Sequence, residues 1–203
     1  EMMAEDVFHS LITSPIQSWD NNLKCVPPSS VTEAAIKAND EFPNKRLLIH
    51  YMQPHDPPLG PTADQIKNDL DLGGPTPLGG ESEDPRLMEA VAAGHISVEK
   101  ARQAYRETLD IVLEEVEELI DEMSGKTVIS SDHGEMFGEK PYPLLGNLYE
   151  HYQHPRTLEL CRVPWHIVED YDTRKKVKSD PPESTADVSE EVINEQLESL
   201  GYK

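Results

Sequence analysis

The run Lys126-Thr127-Val128-Ile129-Ser130-Ser131-Asp132-His133-Gly134-Glu135-Met136-Phe137-Gly138-Glu139 places two metal-capable side chains directly after a short apolar strand. A carboxylate and an imidazole side by side can aim oxygen and nitrogen at one divalent ion, and the glycine after them permits a tight turn. An isolated Asp-His pair is more often a plain polar loop, so its surroundings decide the reading. Upstream, Ser97 is suited to cap a helix that runs to Met123. Along it Val98, Ala101, Tyr105, Leu109, Val112, Val116, Leu119 and Met123 recur at intervals of three and four. The acids Glu114, Glu115, Glu117 and Glu118 fall between those positions and belong to a solvated face, not to a metal cluster. Gly125 ends the helix and residues 126–130 follow as a strand.

Working outward, residues 31–42 read as a short amphipathic helix, Pro43-Asn44 as a turn and residues 46–52 as a buried strand. Residues 53–85 are rich in Pro and Gly and read as a long loop excursion with one short helix over residues 63–70. Residues 162–168, with Val163, Trp165 and Ile167, are a further strand. Helix, strand, long helix, strand, loop, strand is the grammar of an α/β domain with a largely parallel sheet, here expected to fill residues 1–203 as one domain. Ligands of such sheets sit beyond the carboxyl ends of the strands. Gln53-Pro54-His55-Asp56 follows one strand and Asp132-His133 follows another, so the two are expected to share one crest.

The 203 residues suffice for one sizeable core, and no internal repeat is visible. With 39 acidic against 18 basic residues the formal charge is -21, which makes nucleic acid and anionic membrane poor partners. The acids are spread along the chain and Lys is sparse, a composition suited to solubility in high salt, where repulsion is screened. Cys25 and Cys161 are too few for a disulfide scaffold and too far apart for a local metal knuckle. No apolar run approaches the about 18 residues that span a bilayer, and the residues that follow Glu1 show no basic segment leading into an apolar one. A soluble, cytoplasmic protein is the expectation.

His55, stiffened by Pro54, Pro57 and Pro58 and next to Asp56, is placed to donate a proton to a leaving group or to bond an anionic oxygen. His50, inside the strand, reads as a packed residue and His95 as linker. A second polar group follows: Lys140, then Tyr149-Glu150-His151-Tyr152-Gln153-His154-Pro155-Arg156. His151 or His154 is a candidate third metal ligand. With Lys140 and Arg156 they could instead bind a tetrahedral anion.

The stretch 130–139 resembles the Ser-Asp-His-Gly-Glu-x-x-Gly-Glu signature of the sulfatase-like branch of the alkaline phosphatase superfamily. Residues 48–57 are similar to that branch's strand ending in Pro-His-x-Pro. Leu148-Tyr149-Glu150 with Arg162-Val163-Pro164 resembles its Leu-Tyr-Glu and Arg-Val-Pro segments, and Leu200-Gly201-Tyr202 its usual ending. The matches come in the family's order from residue 46 to the end. The resemblance implies a three-layer α/β fold around a central mixed sheet, and a metal-dependent hydrolase or group transferase acting on a small anionic sulfate or phosphate ester. It implies Asp132 and His133 as metal ligands and His55 against the ester or its leaving group, with His154 and Lys140 as further site residues. Sulfatases proper often carry Asn after this Asp and bind calcium; the His here favours zinc or manganese. The family's upstream strand and nucleophile have no counterpart in residues 1–30. Cys25-Val26-Pro27-Pro28-Ser29 mimics a sulfatase Cys-x-Pro-x-Arg motif without its Arg. The chain is therefore expected to be the C-terminal part of a longer domain, or a non-catalytic metal- or anion-binding relative.

Overall fold

The computed structural model describes residues 7–74, 83–144, 146–152, 154–169 and 177–181. After a 3-10 turn at Ser14–Ser18, α1 (Pro28–Glu41) starts with proline in its first turn and buries Thr32, Ala35 and Ala38 along one stripe. It occupies the expected helix and begins three residues earlier. Residues 46–52 follow as extended chain, but among the described residues they join no ladder. Arg46, Leu48 and His50 face outward while Leu47, Ile49 and Tyr51 are half-buried, and Leu48 is 78% exposed. The hydroxyl of Tyr51 shares a hydrogen bond with Thr32 Oγ1 at 2.8 Å, which fastens this segment to α1.

The Pro/Gly-rich stretch carries the short helix expected near residues 63–70, starting two residues earlier. It forms α2 (Pro61–Asp69) and leads into α3 (Leu87–Ala92), and these supply much of the core. Ile66, Leu72, Leu87, Met88, Ala90 and Val91 pack with Ile96, Ala101, Ala104 and Phe137. The helix α4 (Val98–Glu122) is the spine: Ser97 caps it by accepting from the N–H of Lys100 at 3.2 Å, and Ala101, Ala104, Thr108, Val112, Val116 and Leu119 are buried. Leu109, expected inside, is 37% exposed because the buried stripe runs through Ala104 and Thr108. Glu114, Glu117 and Glu118 are exposed and Glu115 half-buried, as a solvated face requires. No helix among the described residues is long and apolar enough to cross a membrane.

Beyond the spine come β1 (Lys126–Ser130), β2 (Met136–Glu139), β3 (Leu148–Glu150), the single turn α5 (Leu158–Cys161) and β4 (Trp165–Glu169). The strand over residues 126–130 is where the sequence put it and the one expected over 162–168 runs over 165–169, yet the sheet is not the expected one. β1 pairs antiparallel with β4, Val128 opposite Ile167, and β2 pairs antiparallel with β3, so the described strands form two separate two-stranded sheets. The expected three-layer α/β fold with a central, largely parallel sheet is thereby overturned. Parallel strands are buried on both faces and read as continuous apolar runs. In β1 only Val128 and Ile129 are large and apolar, and exposure alternates along it. The 46–52 segment, which that sheet needed as a member, has no strand beside it among the described residues. The resemblance over residues 200–202 lies outside the described residues.

Candidate functional site

Three imidazoles reach one place from three segments: His55 after the extended segment, His133 after β1 and His151 immediately after β3. The rings of His133 and His151 stack with centroids 4.3 Å apart and planes 27° apart. His55 meets His151 edge-on at 5.1 Å. Beside them lies a cavity of ≈ 20 Å³, enough for about one water molecule. Asp56, Arg86, Tyr105, Glu135 and Glu150 line it with His55 and His151.

Each ring is held through Nδ1 by an oxygen. His133 Nδ1 lies 2.9 Å from the Gly134 carbonyl, His151 Nδ1 3.2 Å from Glu135 Oε2, and His55 Nδ1 3.4 Å from the Asp56 carbonyl. Oxygen acceptors assign a hydrogen to each Nδ1. His55 Nε2, Glu135 Oε1 and Glu150 Oε1 are buried and have no hydrogen-bond partner. Gly134 fits because its N–H donates to the Leu160 carbonyl at 2.9 Å and a Cβ there would lie 2.0 Å from the carbonyl oxygen of Glu159. Close approach, more than a special turn, explains that glycine.

Charge within the cluster follows burial. Desolvation, helped by the neighbouring His151, lowers the His55 imidazole to about 4, so it is neutral at pH 7. Neutral and with its Nδ1 hydrogen spoken for, it offers an acceptor at Nε2. Desolvation and the nearby Glu135 raise the Asp56 carboxyl to about 7. Burial would lower His151, but the hydrogen bond and charge of Glu135 outweigh it and raise the imidazole. Desolvation, with Glu135 and Asp132 behind it, pushes Tyr105 up to about 12.

Asp132 is more open, its side chain 45% exposed, with Oδ2 3.8 Å from His133 Nε2. Among the described residues no three His, Cys, Asp or Glu side chains already converge as a metal group. The donor chemistry nevertheless fits such an ion: an Nδ1 donating to an oxygen is how metal-binding histidines are held. Imidazole nitrogen favours zinc and the adjoining carboxylates admit manganese, whereas calcium takes oxygen ligands.

The site thus brings together His55, His133 and His151, with Asp132 at its edge. Lys140 and His154 are exposed and neither lines the cavity. Cys25 is buried beside Gln53, and desolvation pushes its thiol up, so it behaves as a packed side chain. Arg86, Tyr105 and the pairing of Glu135 with His151 escaped the sequence reading. The last was within reach, because matching 136–139 to 148–150 as partner strands sets Glu135 across from His151. No protein-family model, curated protein or solved structure matches the chain.

Proposed function

We propose that this chain carries the metal-holding and ester-contacting part of a metal-dependent hydrolase or group transferase acting on sulfate or phosphate esters. The observation that carries this reading is the meeting of His55, His133 and His151, each with Nδ1 on an oxygen. Asp132 and His133 would hold a divalent ion, zinc or manganese, which supplies Lewis-acid polarisation of an ester oxygen when bound. Glu135 and Glu150 line the neighbouring cavity with Arg86, and a cation beside them would lessen their repulsion of an anionic ester. His55 would orient a hydroxyl by accepting its hydrogen bond at Nε2, while His151 and Tyr105 close the cavity to bulk water.

A second reading, a non-catalytic protein that binds a metal or an anion, is favoured by one observation. No Ser, Thr or Cys lines the cavity among the described residues, so no ordinary oxygen or sulfur nucleophile faces it. Elemental analysis of the chain and of Asp132→Ala in high salt tests the metal reading. Stoichiometric zinc or manganese that Asp132→Ala loses is expected, and unchanged metal in that variant overturns it. Hydrolysis of aryl phosphate and aryl sulfate by the metal-loaded chain separates the two readings: turnover supports the enzyme, and phosphate binding without turnover supports the binding protein.

A further inference from the structure

The β2–β3 ladder delivers a pair of side chains whose role the metal reading leaves open. Met136 lies opposite Glu150, so one step beyond the last paired residues the strands bring Glu135 across from His151. There the N–H of His151 Nδ1 donates to Glu135 Oε2 at 3.2 Å, with the two side chains only 16% and 13% exposed. Glu150, just before, adopts φ 67°, a left-handed conformation uncommon for a residue with a side chain, and this turns the chain as it enters His151. The His151 ring then lies flat on that of His133 at 4.3 Å. His133 itself is 31% exposed and fastened at Nδ1 to the carbonyl of its neighbour Gly134. A single hydrogen bond leaves a half-exposed ring free to swing about that contact; a ring packed flat on its face removes the freedom.

We propose that Glu135 and His151 are positioning residues: the carboxylate fixes the His151 ring, and that ring fixes the plane of His133, so that His133 Nε2 is presented to a divalent metal ion. This rests on the metal reading above. Outer partners of metal-binding histidines change affinity without touching the ion, typically by about 10–100-fold.

The test is titration of the full chain with Co²⁺, read by visible absorption, which reports coordination geometry as well as affinity. Wild type is expected to bind, and His133→Ala to lose binding. Glu135→Ala should weaken binding by about 10–100-fold and alter the cobalt spectrum. Glu135→Gln, whose amide oxygen still accepts from His151, should stay within a few-fold of wild type and keep its spectrum. If wild type binds no Co²⁺, the metal reading fails and this inference falls with it. If His133→Ala loses binding while Glu135→Ala keeps wild-type affinity and spectrum, the positioning role alone is overturned. A Glu135→Gln variant as weak as Glu135→Ala would also overturn it, because charge and not the hydrogen bond would then matter.

Discussion

Burial lifts the Asp56 carboxyl to about 7 and lowers the His55 imidazole beside it to about 4, so the two residues pull stability in opposite directions over the same pH range. For Asp56 the folded state keeps a proton that the unfolded chain releases near 3.8, so folding loses stability as pH rises from about 4 to about 7 and is level above that. For His55 the folded state sheds a proton that the unfolded chain holds up to about 6.5, so folding gains stability as pH rises through the same window. The wild-type profile is therefore flattened, and the Asp56 contribution shows only by difference. Asp56→Asn mimics the protonated carboxyl. Measured with chelator present, its stability relative to wild type should climb between pH 4 and pH 7, by an amount on the order of 4 kcal/mol if the full shift is expressed. A difference that stays constant across that window would mean Asp56 titrates as an ordinary exposed carboxylate. None of this was visible in the run Pro54 to Pro58, because burial depends on Leu87, Met88 and Tyr105, which arrive from α3 and α4.

The spine helix α4 holds the Pro/Gly-rich stretch through two buried or shielded polar contacts. Thr108 Oγ1 accepts from the Leu59 N–H at 2.8 Å and donates to the Ala104 carbonyl at 2.8 Å, fully buried. The adjacent Glu107 accepts from the Thr62 N–H at 2.7 Å and from its hydroxyl at 2.6 Å, capping α2 from another helix where Gly60 has no side chain to offer. Thr108→Val keeps the shape and strands the Leu59 N–H, so a loss of about 1–3 kcal/mol is expected in denaturant unfolding; a loss under about 0.5 kcal/mol would mean the N–H finds another partner. In β2, Gly138 has φ 94° and a Cβ there would lie 2.9 Å from the Tyr149 ring across the ladder. Gly138→Ala should therefore cost about 1–3 kcal/mol and loosen the register that places Glu135 opposite His151, read as a lowered unfolding midpoint. These contacts also explain what could be read in advance. The spine and the strand after it were legible because a cap, a period and a terminating glycine are local signals. In the 53–85 stretch the short helix was legible and the packing was not, because its prolines and glycines mark breaks, while Ile66, Leu72 and Leu87 do the packing. The partner of residues 46–52 and the direction of β1 against β4 are non-local choices, and an apolar run of that length encodes neither.

Across the whole molecule the dominant fact is the formal charge of -21 on 203 residues. Among the described residues, ion pairs such as Lys45 with Asp180 at 2.7 Å and Lys24 with Asp84 at 3.7 Å engage few acids, and exposed pairs contribute little in any case. The outer face of α4 exposes Glu114, Glu117 and Glu118 and the cavity gathers further carboxylates, so like-charge repulsion opposes the compact state. Salt weakens that repulsion as the screening length falls from about 10 Å at 0.1 M to about 3 Å at 1 M. Apolar surface pushes the same way: Leu48, Val128, Trp165 and Ile167 are open to solvent, and strongly excluded salts favour burying such groups. Thermal unfolding at fixed pH should therefore shift upward by several degrees, on the order of 5 °C, between 0.1 M and 2 M KCl, since about 2–4 °C corresponds to 1 kcal/mol for a chain of this size. Screening and exclusion separate by their salts. A rise that is mostly complete by about 0.5 M and equal in KCl and NaCl reports repulsion, whereas one that continues to 2 M and steepens with sulfate reports the apolar faces. An unfolding temperature that does not move from low to molar salt would show that the excess acids are already neutralised in the fold, and the adaptation to high salt inferred from composition would be wrong.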